Sequence, residues 1–267
     1  MIVQHNIASM NANRQLGIVG NNLAKATEKL SSGYRINRAA DDAAGLSISE
    51  KMRGQVRGLQ RASDNAQDGI SLIQTAEGAM DQQHAILQRA RELAVQAAND
   101  TNVEEDRDAI SEELSQLKQE FDRIKDQTEF NTQKLLNGGF KDKNFQVGAN
   151  NGQNIAVSIA TTTMTDISGN VTSYDTATAA IKTINDNITA LSTSRSKLGA
   201  IQNRLEYTVK NDDNAAENIQ NAESRIRDVD MADEMTRFSK ESILQQAATS
   251  MLAQANQQNQ GVLSLLQ

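Results

Sequence analysis

The residues of this chain that could support acid–base or nucleophilic chemistry are few and scattered. His5 and His84 are the only histidines, and neither is accompanied by a serine or cysteine nucleophile pattern. The chain has no cysteine, which excludes disulfides and thiolate–metal sites. It also has no glycine-rich phosphate-binding loop. The sequence therefore predicts neither a catalytic site nor a bound cofactor, and the protein is not expected to be an enzyme.

Two groups of carboxylates remain as candidates for a metal site. Asp41 and Asp42 precede a predicted helix, and a helix N-cap explains them better than a metal because no further ligands cluster nearby. The acidic group between residues 228 and 234 precedes the last predicted helix and is typical of a solvated hinge. We predict no metal ion at either position.

Composition favours long helices packed along their lengths. The 267 residues suffice for one or two domains, but aromatic residues make up only 3%, and tryptophan and proline are absent. The net charge of −7 argues against nucleic acid as the main partner. No apolar run approaches the roughly 20 residues that a membrane-spanning helix needs. We therefore expect an aliphatic helical protein with neither nucleic-acid nor membrane partners.

Apolar residues at steps of three and four predict five helices. The first spans about residues 6–30, with Gly33 as its C-cap. A second helix from Asp42 to Ala98 would be about 85 Å long at about 1.5 Å per residue. The remaining helices are predicted over about 104–127, 176–226 and 232–266. The apolar seam of the last one is formed by Leu244, Ala248, Met251, Ala255, Val262 and Leu266.

The one clear strand signal lies between the third and fourth helices. Apolar residues alternate from Phe145 to Ala149 and from Ile155 to Ile159, on either side of Asn151-Gly152. Alternation around Asn-Gly predicts a β-hairpin at about 144–160. Residues 160–178 show no period and are expected to form a loop.

The two ends of the chain carry almost no charge. Residues 242–267 contain no charged side chain, and Arg14 is the only one among residues 1–24. Two interpretations are open: the ends form an antiparallel coiled coil within one molecule, or many copies bury them together in a homopolymer. The homopolymer predicts that, without neighbours, the ends bury too little apolar area and are largely disordered.

Long runs of this sequence resemble bacterial flagellins over about 1–160 and 180–267. The runs that carry the resemblance are residues 6–12 (NIASMNA), 30–37 (LSSGYRIN), 38–48 (RAADDAAGLSI), 87–99 (LQRARELAVQAAN), 145–150 (FQVGAN), 253–257 (AQANQ) and 262–266 (VLSLL). The resemblance implies a mainly α protein with two domains. Residues 1–40 and 228–267 would form a terminal inner-tube coiled coil, and residues 41–227 a rod-like helical domain carrying the hairpin. Outer variable domains would be reduced to the loop at 160–178.

The resemblance also implies the function. The chain would be a structural subunit that polymerises into the extracellular flagellar filament for swimming motility. Export would use the flagellum's own type III apparatus without a cleaved signal peptide. Implied partners are other copies of the chain, an export chaperone, and the cap and hook-junction proteins. The alternatives are a hook–filament junction protein, which shares the terminal helix character, and a soluble coiled-coil adapter.

Two sets of residues are the implied interaction sites. The terminal assembly seams are expected to use Leu16, Val19, Leu23, Leu30, Leu244, Met251, Leu252, Val262 and Leu266, together with the connecting segment 35–46. Matched residue by residue, the surface that a vertebrate Toll-like flagellin receptor recognises would be Arg89, Arg91, Glu92, Leu93, Gln96, Glu113 and Arg204. The same residues could instead serve as packing contacts between subunits, and both roles are compatible.

Overall fold

The computed structural model describes residues 6–166 and 171–264, with side chains described as far as residue 257. Over these residues the chain is mainly helical, which confirms the predicted fold class. The helices are α1 (Ile7–Ser32), α2 (Ala43–Ala97), α3 (Glu104–Gln127), α4 (Tyr174–Arg227) and α5 (Met231–Ser264). The strands are β1 (Glu129–Phe130), β2 (Gln133–Lys134), β3 (Lys143–Gln146) and β4 (Asn154–Val157).

The helix ends follow from local capping chemistry. Gly33 ends α1 with a φ of 75°, a left-handed conformation that glycine adopts without steric cost, and its N–H donates to the Lys29 carbonyl. Asp42 caps α2, because its Oδ1 accepts a hydrogen bond from the Gly45 N–H at 2.8 Å. Asp41 has a different role: its Oδ2 accepts the backbone N–H groups of Asn37 and Arg38 and closes the preceding loop.

The chain divides into two compact units. The terminal unit contains Met1–Gly54 and Asn218–Gln267, and the central unit contains Gln55–Glu217. Within the terminal unit, α1 and α5 pack together and run antiparallel. At one end of this α1–α5 pair, Asn6 donates from Nδ2 to the Ala255 carbonyl at 2.9 Å. At the other end, the Val229 N–H donates to the Gly33 carbonyl at 3.0 Å.

The core of the central unit is aliphatic, as the composition predicts. Helices α2, α3 and α4 and the segments around the strands contribute to it. Its largest fully buried side chains include Ile73, Met80, Leu87, Leu114, Phe121, Leu135, Leu136, Ile159, Ile184 and Leu198. Such close-packed burial gives the central unit an independent core.

One carboxylate interrupts the buried seam of α4. Asp212 lies seven residues after the buried Leu205, is only 5% exposed, and its Oδ2 has no hydrogen-bond partner among the described residues. The neighbouring Asp213 accepts a hydrogen bond from the Ser63 hydroxyl at 3.0 Å. Burial raises the pKa of the Asp212 carboxyl, and the charge of Asp213 raises it further.

The predicted hairpin is present, with Phe145 paired to Ile155, and it packs against α2. Two glycines of α2 make room for it. A Cβ atom at Gly58 would lie 2.8 Å from the Ala149 Cβ, and one at Gly69 would lie 3.4 Å from the Phe145 ring. Asn65, on the same stretch of α2, donates to the Gln146 carbonyl at 3.2 Å. The close approach of the hairpin therefore explains the glycines at these two positions.

A second, smaller hairpin was not predicted from the sequence. Strands β1 and β2 contain two residues each and pair Glu129 with Lys134, whose side chains also form an ion pair at 2.6 Å. The turn uses Asn131 and Thr132, both at positive φ, in place of the glycine that usually marks such turns. Strands this short have no period to detect.

Candidate assembly and recognition surfaces

The α1–α5 pair is held by a seam with heptad spacing. On α1 the less exposed positions follow one another at steps of three and four, and Leu16, Val19, Leu23 and Leu30 are all half-buried there. Ala26 alone is fully buried, at 1% exposure. The seam thus matches a coiled-coil interface in spacing, but it excludes water from few large side chains.

On α5 the observed seam differs from the predicted one. Leu252, Ala248 and Ala255 are half-buried, whereas Leu244 and Met251 are 41% and 61% exposed. Polar residues occupy the remaining seam positions, which are Glu234, Glu241 and Gln245, next to the half-buried Phe238. Leu266 and the side chain of Val262 lie outside the described residues.

Apolar side chains also project from the other faces of the α1–α5 pair. The exposed ones are Ile7, Met10 and Ile18 on α1, and Met231, Met235, Ile243, Leu244 and Met251 on α5. Ile243 and Leu244 are consecutive, so they point about 100° apart around the helix. Apolar surface spread in this way is typical of a segment that other protein surfaces cover.

A junction at one end of the pair joins α1 to α5. Tyr34 and Asp228 form an antiparallel bridge, and the Arg35 N–H donates to the Arg227 carbonyl at 2.7 Å. The Arg227 guanidinium lies 4.7 Å from the centre of the Tyr34 ring and donates to Glu50 at 2.8 Å. This hydrogen bond from Arg227 lowers the pKa of the Glu50 carboxyl, so the contact is lost only in acid.

The connecting segment 35–46, predicted as an assembly element, is ordered by buried and capped residues. Ile36 is 1% exposed, and a Cβ atom at Gly45 would lie 2.8 Å from its Cδ1. Backbone hydrogen bonds from Arg38 and Asn37 lower the pKa of the Asp41 carboxyl. The segment therefore has a fixed shape within the terminal unit.

The proposed receptor surface contains an ion-pair group on α2 and α3. Arg89 donates to Glu113 at 3.0 Å from Nε and at 2.9 Å from a terminal nitrogen, and to Glu92 at 3.2 Å. The hydrogen bonds that Arg89 donates to these carboxylates, the one to Glu113 first, raise the pKa of Arg89. All three side chains are about half exposed, so the group is open to a partner.

The other residues matched to this surface are placed less uniformly. Arg91 and Gln96 are exposed on α2, and Arg204 is exposed on α4, outside the Arg89 ion-pair group. Leu93 is 2% exposed and belongs to the core of the central unit. A partner that binds this face would meet the polar residues, while Leu93 supports them from below.

An open cleft that the sequence analysis did not identify adjoins Arg89. It has a volume of about 550 Å³ and is lined by Gln82, Ala85, Ile86, Arg89, Leu117, Glu120, Arg123 and Ile124. Ile86, Leu117 and Ile124 are half-buried. The sequence pattern assigned them to buried helix faces, which is why no exposed apolar strip was expected there.

Neither metal binding nor membrane insertion finds support in the part of the chain that is described. Its His, Asp and Glu side chains nowhere come together in a group of three or more suited to a metal ion. Its helices, although long, include none apolar enough to cross a membrane.

The chain forms long helices, its nearly uncharged terminal segments pair, and the paired helices expose apolar side chains. These features are typical of helical structural proteins that self-associate. Two family profiles narrow this class. The profile described as the bacterial flagellin N-terminal helical region matches residues 3–141, and the one for the C-terminal helical region matches residues 181–266.

Individual relatives agree with the profiles. The chain is 57% identical to a flagellin of Halalkalibacterium halodurans and 49% identical to a flagellin of Bacillus subtilis, in each case over all of both chains. The crystal structure of Bacillus cereus flagellin is similar with a TM-score of 0.50 and 30% identity, covering 56% of this chain and 88% of that one. The chain therefore belongs to the bacterial flagellin family, and it is a structural subunit of the flagellar filament.

Proposed function

We propose that the subunit polymerises chiefly through its α1–α5 pair. Residues 1–40 and 228–267 form the innermost tube of the filament, and residues 41–227 form a rod-like helical domain that carries the hairpin. The single observation that carries this proposal is the combination of exposed apolar side chains on the terminal helices with the near absence of charge from residues 1–24 and 242–267. Leu244 and Met251 are exposed to water in the isolated subunit. Beyond residue 241, α5 has no charged side chain that would favour contact with water.

Neighbouring subunits supply what the α1–α5 pair lacks. Its seam is rich in alanine and half exposed, so the isolated pair gains little free energy from burying apolar area. Each further copy that packs on Ile7, Ile18 or Ile243 buries apolar surface without desolvating an ion. Polymerisation and full ordering of the terminal helices are therefore coupled, as in other segments that order on binding.

The subunit reaches this position by export through the flagellum's own type III apparatus, without cleavage of a signal peptide. An export chaperone binds the subunit before export. The cap and hook-junction proteins are its partners at the ends of the growing filament. Residues 158–173, between β4 and α4, replace any outer variable domain. A thin and comparatively smooth extracellular filament follows from this short connection.

Removing residues 242–267 tests the proposal against a soluble coiled-coil adapter. The full-length subunit, given seeds and precipitant, forms filaments visible by electron microscopy. The truncated subunit keeps the unfolding transition of its central unit but forms no filament at any concentration. A truncated chain that still polymerises, or a full-length chain that forms only a finite oligomer, contradicts the proposal.

Point substitutions refine the test without shortening the chain. Leu244→Gln combined with Met251→Gln removes apolar surface that is already exposed in the subunit, so the folded subunit is unaffected while polymerisation is lost. Val103→Gln is the matched control, because Val103 is 58% exposed but lies in the central unit. The proposal fails if the control and the double variant polymerise equally well.

The Arg89 ion-pair group supports a second role. We propose that Arg89, Glu92 and Glu113 serve packing between subunits and also form the site for a vertebrate Toll-like flagellin receptor. Their exposed, preformed charges suit a polar partner. Arg89→Ala with Glu113→Ala should weaken both polymerisation and binding of the isolated receptor ectodomain. Lys182→Ala, which removes an exposed ion pair to Asp186 on α4, is the control and should change neither.

A further inference from the structure

Apart from Met52, which is half-buried in the terminal unit, the methionines whose side chains the structure describes divide between the two compact units. Met10 is 69% exposed on α1, and Met251 is 61% exposed on α5. Met231 and Met235, in the first two turns of α5, are each about half exposed. In the central unit, by contrast, Met80 is 0% exposed and Met164 is 5% exposed. The thioethers that water reaches thus lie on the helices proposed to mediate assembly.

We propose that Met10, Met231, Met235 and Met251 are peroxide-sensitive modification sites of the unassembled subunit, and that their oxidation weakens polymerisation. The proposal rests on the function proposed above for the α1–α5 pair. Oxidation of methionine follows its exposure to solvent, and these four residues are 48–69% exposed, whereas Met80 and Met164 are buried.

The chemical step is a two-electron oxygen transfer from a peroxide. The thioether sulfur attacks one peroxide oxygen, an S–O bond forms, and the O–O bond breaks. The sulfur is oxidised to a sulfoxide, and the other oxygen leaves as hydroxide or, from an organic hydroperoxide, as alkoxide. This leaving group takes up the proton that the transferred oxygen loses, which gives water or the alcohol. The co-reactant is hydrogen peroxide or an organic peroxide, and no metal or cofactor is needed.

Oxidation changes the character of the surface that assembly must bury. A methionine sulfoxide is polar and accepts hydrogen bonds, whereas the thioether it replaces is apolar. Met10 lies beside Ile7 in a cleft along α1, and Met251 follows the exposed Ile243 and Leu244 on α5. Burying a sulfoxide among such side chains leaves its oxygen without a partner.

The same geometry predicts that the filament protects itself. Once neighbouring copies cover α1 and α5, peroxide no longer reaches the four sulfurs. A subunit is therefore vulnerable between its synthesis and its incorporation. Damage at this stage removes subunits from the assembling pool without weakening filament already built.

The test compares unassembled full-length subunit with preassembled filament under the same dose of hydrogen peroxide. Mass spectrometry of peptides should find one added oxygen at each of the four methionines in the subunit, and at none of them in the filament. Met80 and Met164 are internal controls that remain unmodified. The oxidised subunit should need about a tenfold higher concentration to polymerise, and methionine sulfoxide reductases should reverse the effect.

A variant with leucine at the four positions (M10L, M231L, M235L and M251L) separates oxidation from general damage. It should polymerise like the unmodified subunit and keep doing so after peroxide. The inference is overturned if the oxidised natural subunit polymerises normally, or if reductase treatment does not restore polymerisation. An untreated natural subunit that fails to polymerise overturns the proposed function, and this inference with it.

Discussion

The α1–α5 pair and the core of the central unit use the same helical spacing but fill it differently. Phe121, Leu87 and Ile184 are buried almost completely in the central unit. In the pair, Leu16, Leu23 and Leu252 keep part of their surface in water, although they occupy equivalent seam positions. Regular spacing is therefore enough to define where helices meet, but stability depends on how large and how enclosed the seam residues are.

The outer faces of the two regions differ as well. The central unit covers its surface with ion pairs, for example from Arg195 to Glu77 and Asp81. Helix α5 exposes Ile243, Leu244 and Met251 instead. A charged face is compatible with water, whereas an uncharged apolar face gains free energy from a protein neighbour. The comparison separates a region with its own buried core from a region that, as we propose, other subunits complete.

The largest difference in stability should appear when one phenylalanine in each region is replaced by alanine. Phe121→Ala removes a ring that is 1% exposed and should lower the free energy of unfolding of the central unit by about 3–5 kcal/mol. Phe238→Ala, in the half-buried α5 seam, should cost much less. Urea denaturation followed by circular dichroism measures both. Equal losses of unfolding free energy would mean that the two seams are equally well packed, which would contradict the difference described above.

A smaller loss is expected where the hairpin meets α2. Gly58→Val introduces a Cβ that would contact Ala149 at 2.8 Å and should lower the free energy of unfolding by about 1–3 kcal/mol. Gly78→Ala on the same helix is the control, because a Cβ there meets nothing within 4 Å, and it should stabilise by about 0.5–1 kcal/mol. If both variants change the free energy of unfolding in the same direction, the packing of the hairpin on α2 does not depend on Gly58.

Replacing Asp212 by asparagine should raise the free energy of unfolding by about 1 kcal/mol, and this gain should depend on pH. Its pKa is raised by burial above the ordinary 3.8, so the folded state holds this proton more tightly than the unfolded state. The resulting stability is complete below the unfolded pKa and is lost as pH rises through the folded pKa. Asp212→Asn should therefore stabilise at pH 7 and give no such gain in acid, as measured by urea denaturation.

The exposed Asp68 on α2 provides the control for this titration. Asp68→Asn should leave the free energy of unfolding almost unchanged, because the side chain is exposed on the surface of α2. A gain at pH 7 that persists unchanged in acid would show that removal of the charge at Asp212 is not the cause.

The smallest effect on the isolated subunit should be in the terminal seam. Leu252→Ala should lower the free energy of unfolding by less than about 1 kcal/mol, since the side chain is only half-buried. Leu244→Ala should have almost no effect on the subunit. Both should nevertheless raise the concentration needed for polymerisation, measured by light scattering. A leucine variant that polymerises normally would exclude that residue from the assembly surface.

The helices could be predicted from the sequence to within about two residues because each has a sustained apolar period and recognisable caps. Gly33 and Asp42 mark their helix ends by chemistry that does not depend on tertiary contacts. The hairpin was equally predictable from its alternation around Asn151-Gly152. Strands β1 and β2 were not, because strands of two residues have no alternation to detect and their turn uses Asn131 and Thr132 without a glycine.

The α5 seam could not be resolved from the sequence because apolar residues occupy more than one face of this helix. Two alternatives, one through Leu244 and Met251 and one through Gln245 and Leu252, have the same spacing. Packing against α1 selects the second, and leaves the more apolar alternative exposed. For similar reasons, Leu93 could not be separated from its polar neighbours on α2, since burial depends on where α3 and α4 lie.

The pairing of α1 with α5 affects the order of folding. The hydrogen bond from Asn6 to Ala255 joins residues 249 positions apart, which is nearly the whole chain. Closing such a long loop costs entropy that few local contacts repay, so we expect the two ends to meet only after the intervening helices have collapsed. The last part of the molecule to fold is then also the part through which we propose that it joins its neighbours.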